Sequence, residues 1–123
     1  MGAGLKTELV SFAVLPGMES EAEAWMSVLQ QRRAECVETL DRERMRYESV
    51  FKSHHDGRMY LSWFSVQGED GSHVEGSPFE IDRLHVEYWD RCIDRAVPHI
   101  VFEHVVSLAP AVVESAVLGY RAG

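Results

Sequence analysis

The sequence predicts an α+β fold with two helices on one face of an antiparallel four-stranded sheet. Three observations carry this. Strand-like and helix-like segments follow one another as β-α-β-β-α-β, the ferredoxin-like βαββαβ plan. Both helical segments are amphipathic with a 3.6-residue period. Asp56-Gly57 between the second and third strands is a strong hairpin turn.

The elements are read in order. "KTELVSFAVL" (Lys6–Leu15) is rich in β-formers and stops at the turn pair Pro16-Gly17. Glu19–Met45 reads as one long helix, with acids in its first turn and bases near its end, as the helix dipole favours. "RYESVFKS" (Arg46–Ser53) and "RMYLSWFSVQ" (Arg58–Gln67) flank "HHDG" as a hairpin. The polar run Gly68–Ser77 reads as a loop able to close over a pocket. Ser77-Pro78-Phe79-Glu80 has the form of a capping box opening a second helix, Pro78 to about Ala96. "IVFEHVVSL" (Ile100–Leu108) reads as the last strand, followed by Pro110 and a short apolar tail. No repeat or linker interrupts the chain, so residues 1–123 form one domain, with a core at 6–108 and a tail at 109–123.

The strands carry a further signal. "MYLSWFSV" places Met59, Leu61 and Trp63 at one parity and Tyr60, Phe64 and Val66 at the other. A sheet with one wet face alternates apolar and polar residues. Here both faces call for cover, and two helices supply only one. The simplest second cover is another copy of the sheet, so a homodimer is expected.

Composition narrows the function classes. Among 123 residues, 46% are apolar, enough for one sizeable core. Twelve basic against twenty acidic residues leave a net charge of −8, which argues against a nucleic-acid partner. No apolar run is long enough to span a bilayer, and "MGAGLKTELV" lacks the pattern of a secretory signal. Two cysteines, Cys36 and Cys92, make no disulfide framework, and a cytoplasmic location is the default. The six histidines show no H-x-x-x-H spacing, and no C-x-x-C occurs, so no metal site and no cofactor are expected.

Each helix carries one polar intruder in its apolar stripe. In the second helix Ile81, Leu84, His85, Tyr88 and Cys92 share a face, with Trp89 at its edge. In the first, Trp25, Met26, Leu29, Cys36 and Leu40 form the stripe, and Arg33 falls in its middle. A buried arginine needs a partner. Glu8, Glu48 and Glu103 are the strand acids within reach, and Glu48 is favoured. His85 fits two readings: a core histidine bonded to its neighbours, or an acid–base group in a cavity with Tyr88 beside it. Trp25, Tyr60, Trp63 and Trp89 would wall that cavity, with Arg33 and Glu48 orienting a substrate.

The element order, the first strand closing on "VLPG" and the doubly apolar strands resemble the dimeric α+β barrel superfamily, which includes the antibiotic-biosynthesis monooxygenases. "KTELVSFAVLPG", "YLSWFSVQGE" and "EIDRLHVEYWDRCID" are similar to a small bacterial family of that fold with no assigned activity. The resemblance spans roughly Lys6 to Leu108. It implies a homodimer with a ligand cavity between sheet and helices. It also implies an activity of cyclase, isomerase or cofactor-free oxygenase type on a small organic molecule, of the kind found in natural-product biosynthesis. Stress-type binding proteins share the fold, so a non-catalytic small-molecule binder is the alternative. The haem-degrading pattern is not matched, and haem is not implied.

Overall fold

The computed structural model describes residues 6–41, 43–68 and 78–117. Strand β1 (Lys6–Ala13), β2 (Met45–His55), β3 (Arg58–Gln67) and the short β4 (Ile100–Val101) form one antiparallel sheet in the order β2-β3-β1-β4. Helices α1 (Glu19–Gln31), α2 (Arg33–Leu40) and α3 (Glu80–Cys92) cover one face, and α4 (Ala111–Val117) follows the last strand. This is the ferredoxin-like topology the sequence predicts.

Turn chemistry behaves as expected at two points. Gly17, after Pro16, takes φ 89°, a conformation that favours glycine. Asp56 and Gly57 both take positive φ, 52° and 76°, the type I′ signature that matches the twist of β2 and β3.

Register assigns the two faces. Val10 pairs with Trp63 and Phe12 with Leu61, while Val50 and Lys52 meet the same two β3 residues from the other side. These side chains face the helices. Leu9 and Ser49 meet Phe64, and Ser11 and Phe51 meet Ser62, on the opposite face. The core lies on the helix side. Val14, Ala22, Trp25, Met59, Leu61 and Cys92 are its buried centre. Fully burying a side chain such as Leu61 contributes roughly 2 kcal/mol.

Four sequence expectations need correction. The long first helix is two, because Arg32 leaves helical geometry at φ −105°, ψ 33°. Neither proline nor glycine is responsible. The break coincides with a fork from Arg32 to Glu35, at 2.7 and 2.6 Å, and a third bond to Glu80 at 2.9 Å, which ties the joint to α3. The α3 cap is Phe79, in extended conformation with no side-chain cap bond, so helix geometry begins later than the capping box implies. Ser77 itself lies outside the described residues, as do residues 69–76 of the expected loop. At its far end α3 stops at Cys92 rather than Ala96, because Ile93 turns extended and bridges to Val14. The last strand keeps only Ile100 and Val101 of its predicted nine residues. Phe102 still donates to the Leu9 carbonyl at 3.0 Å. Beyond it the edge has no outer strand among the described residues, and Val105, Val106 and Leu108 are exposed.

Candidate functional site

A cleft of about 380 Å³ opens between the sheet and the helices, within the size range of small-molecule sites. The sheet contributes Glu8, Val10 and Phe12 from β1, Glu48 and Val50 from β2, and Trp63 and Ser65 from β3. Helix α3 contributes Ile81, Asp82, His85 and Trp89, and the α1–α2 arm adds Leu29, Cys36, Thr39 and Leu40. The α3 set follows from helix periodicity: residues 81, 85 and 89 recur every four positions, and Asp82 sits three before His85.

His85 forms part of the cleft wall and is held from behind. The Trp25 indole Nε1–H donates to His85 Nδ1 at 3.0 Å. Trp25 is fully buried. An indole nitrogen can only donate, so Nδ1 must be the acceptor and a neutral ring carries its proton on Nε2. The rings of Trp25, Trp63 and Trp89 surround the imidazole, with centroids 5.2, 6.1 and 6.3 Å away. Burial in this aromatic nest lowers the His85 pKa to about 4, with Asp82 opposing part of the shift. At neutral pH His85 is therefore an uncharged N–H donor. Its one free lone pair is engaged by Trp25, so the ring is poorly placed to act as a base.

The acids of the cleft behave differently. Burial, and then the negative charge of Asp82, push the Glu48 carboxyl above its ordinary range. Glu48 keeps water on its outer side at the cleft mouth, while protein crowds its inner side. Asp82 is almost fully enclosed, 5% exposed, and its Oδ2 has no hydrogen-bond partner among the described residues. Cys36 is raised by burial first and then by Glu48, Asp82 and Glu35, so its thiol stays protonated and is not poised as a nucleophile. Among the described residues, no three His, Cys, Asp or Glu side chains converge as a metal-binding group.

Of the residues singled out in the sequence, His85, Glu48, Trp63 and Trp89 meet in this cleft. Trp25 acts from behind it. Tyr88 packs away from the opening, stacked parallel on Trp25 with ring centroids 6.2 Å apart and the Arg91 guanidinium over its outer face at 4.5 Å. Tyr60 lies on the opposite face of the sheet beside His55, because residues 60 and 63 differ in parity. Arg33 does not enter the helix–sheet stripe and makes no ion pair with Glu48. It opens α2 after the break at Arg32, which resets the helical phase, and is exposed. The cation that bridges elements is its neighbour Arg32, bonded to Glu35 and Glu80 outside the cleft. Asp82, Glu43, Thr39 and Ser65 line the cleft without having been singled out. For Asp82 the signal was its three-residue spacing from His85.

No helix among the described residues is long and apolar enough to cross a membrane. A model described as a family of unknown function, DUF6176, matches residues 5–114. No curated protein and no solved structure matches the chain.

Proposed function

The chain belongs to the DUF6176 family of unknown function, and from that premise we propose that its cleft binds and transforms a small organic molecule by moving a proton. The observation that carries this reading is the Trp25–His85 bond at the wall of an open cleft. It holds one tautomer and leaves Nε2–H as a donor. A neutral imidazole of this kind polarises a carbonyl without carrying charge. Glu48, whose carboxyl titrates above the usual range, is the proton carrier. As carboxylate it takes a proton from the carbon beside a substrate carbonyl. The electron pair moves onto the carbonyl oxygen, where His85 Nε2–H stabilises it. Return of the proton to a different carbon completes an isomerisation, and attack by the same carbanion within the molecule gives a cyclisation. His85 is thus assigned to hydrogen bonding, and the acid–base role passes to Glu48.

The test is α-proton exchange. The protein is incubated in D₂O with a panel of enolisable aryl ketones, and loss of the α-proton is followed by ¹H NMR. Exchange above the buffer rate is expected, abolished in Glu48→Gln and slowed in His85→Phe. Buffer-rate exchange throughout the panel would sink the catalytic reading. In its place would stand a second reading, a non-catalytic binder, which the same Trp25–His85 bond favours because it satisfies His85 Nδ1 without any ligand.

We also propose that two copies pack sheet to sheet, in the dimeric α+β barrel arrangement the sequence resembles. Support comes from the bare face: Tyr47, Phe51 and Phe102 are each about half exposed there, at 48%, 58% and 47%. Free thiols at Cys36 and Cys92 support a reducing, cytoplasmic setting.

A further inference from the structure

We infer that the molecule held in this cleft is an organic ammonium, a protonated amine on an apolar or aromatic body, with its charge seated against Asp82 and Glu48. The inference rests on reading the cleft as a small-molecule site and adds the class of ligand. Glu8, Glu43, Glu48 and Asp82 all line the space; Lys6 pairs with Glu8 at 3.8 Å, and no lysine or arginine is among the described residues that line it. The guanidinium that ties the α1–α2 joint to α3, Arg32, is committed to Glu35 and Glu80.

Acidic character alone would mean little. The second observation is Asp82: it is 5% exposed, lines the cleft, and its Oδ2 is buried with no hydrogen-bond partner among the described residues. A buried carboxylate oxygen without a donor is costly, and a cation that arrives with its own N–H groups removes that cost. The walls choose the kind of cation. Trp63 and Trp89 both line the cleft, and indole rings attract ammonium groups. Val10, Phe12, Leu29 and Ile81 provide an apolar surface for the body. A bare metal ion fits poorly, because no three ligating side chains converge among the described residues. His85 adds no competing positive charge, since its ring stays neutral above about pH 4.

Without ligand, a proton on Glu48 plays the part of the missing cation, so the ammonium and this proton compete. The titratable groups that line the cleft with Glu48 are Glu8 of β1, whose carboxylate pairs with Lys6, Glu43 at the entry to β2, Cys36 of α2, and Asp82 and His85 of α3. None of them is cationic at neutral pH. Binding should therefore strengthen as pH rises through the titration of Glu48.

The test uses three matched probes: 2-phenylethylammonium, 2-phenylethanol and 3-phenylpropionate. Affinity is read by isothermal titration, and the place of binding by the indole N–H shifts of Trp63 and Trp89. The ammonium should bind about tenfold or more tighter than the alcohol, as a charge-assisted hydrogen bond allows, and the carboxylate should bind weakest. Asp82→Asn and Glu48→Gln should each reduce the preference for the ammonium about tenfold, with the near-ultraviolet dichroism of the tryptophans confirming the fold. Glu48, at the cleft mouth, gives the variant that least disturbs folding. Equal or tighter binding of the alcohol or the carboxylate overturns the inference, while leaving the small-molecule reading standing. An undiminished ammonium preference in both variants also overturns it. Binding of none of the three probes removes both. Ammonium binding without α-proton exchange in any ketone removes the catalytic reading and keeps the cation site.

Discussion

The helix-covered face and the bare face of the same sheet are both apolar, but only one is filled. Leu61 of β3 is fully buried beneath α1 and α3, whereas Phe51 of β2, pointing the other way, is 58% exposed. The contrast teaches two things. Apolar residues at both strand parities report a demand for cover, and the chain meets that demand fully on the helix side and only in part on the other, where Val66 is buried but Phe51 is exposed. Polar groups also sit differently. The covered face encloses a neutral histidine and an aspartate whose Oδ2 finds no hydrogen-bond partner among the described residues, while the bare face places Ser11 and Ser62 together, bonded hydroxyl to hydroxyl. The covered face holds the cleft, and the bare face is where the proposed second copy would dock.

The largest expected effect breaks the covered face. Trp25→Ala removes the buried ring that touches His85, Trp63, Tyr88 and Trp89. Chemical denaturation should show a loss of about 4 kcal/mol. Trp25→Phe keeps most of the packing and loses only the bond to Nδ1, at roughly 1 kcal/mol. A loss below 1 kcal/mol for the alanine variant would mean that the core lies elsewhere.

The next effect addresses the bare face. Phe51→Glu should leave the fold of one copy intact, within about 0.5 kcal/mol, because the side chain is exposed there. In a sheet-to-sheet dimer the same change buries a charge at the interface and should weaken association by about 2 kcal/mol, roughly thirtyfold. Sedimentation velocity at micromolar concentration decides: wild type as dimer and variant as monomer is the expected pair. A monomeric wild type ends the dimer proposal.

How far the sequence revealed these faces depends on whether a local rule ran uninterrupted. His85 was legible because α3 is one unbroken helix from Glu80 to Cys92, so its wheel holds for three turns. Arg33 is not legible in the same way, because a single helical period does not run through Arg32, where the helix breaks without a proline or glycine to announce it. Tyr60 was grouped with Trp63 although strand parity sends them to opposite faces. Asp82 was passed over because an acid in a first helical turn normally reads as a solvated partner of the dipole, and only packing shows it enclosed. The run Ile100–Leu108 has strand composition, yet composition cannot supply the neighbour that a longer strand needs.

A third effect sharpens the contrast through pH. The folded-state pKa of His85 is about 4, below its ordinary 6.5. Folding therefore favours the neutral ring. The associated stability is fully present above pH 6.5 and is lost as pH falls toward 4. Water reaching the cleft reduces the effect to the order of 2 kcal/mol. Thermal denaturation across pH 4 to 7 should show that acid limb in wild type and a flatter one in His85→Gln. An unchanged limb would place the responsible group elsewhere.

The smallest effect has the opposite sign and belongs to Glu48. Its carboxyl is raised, by burial first and then by Asp82. Folding thus favours the protonated acid, and the contribution is present at low pH. It is lost as pH rises through the window between the ordinary carboxyl value of 4.5 and the raised one. Glu48→Gln cannot ionise, so it should equal wild type near pH 4 and exceed it at pH 7. Water at the cleft mouth screens the charge and keeps the gain below about 1 kcal/mol. Saturating 2-phenylethylammonium should erase or reverse the gain, because the wild-type carboxylate then has its counter-ion and the variant does not. A gain that persists unchanged with the ammonium bound would separate the strain at Glu48 from ligand recognition, and would leave Asp82 alone as the anchor.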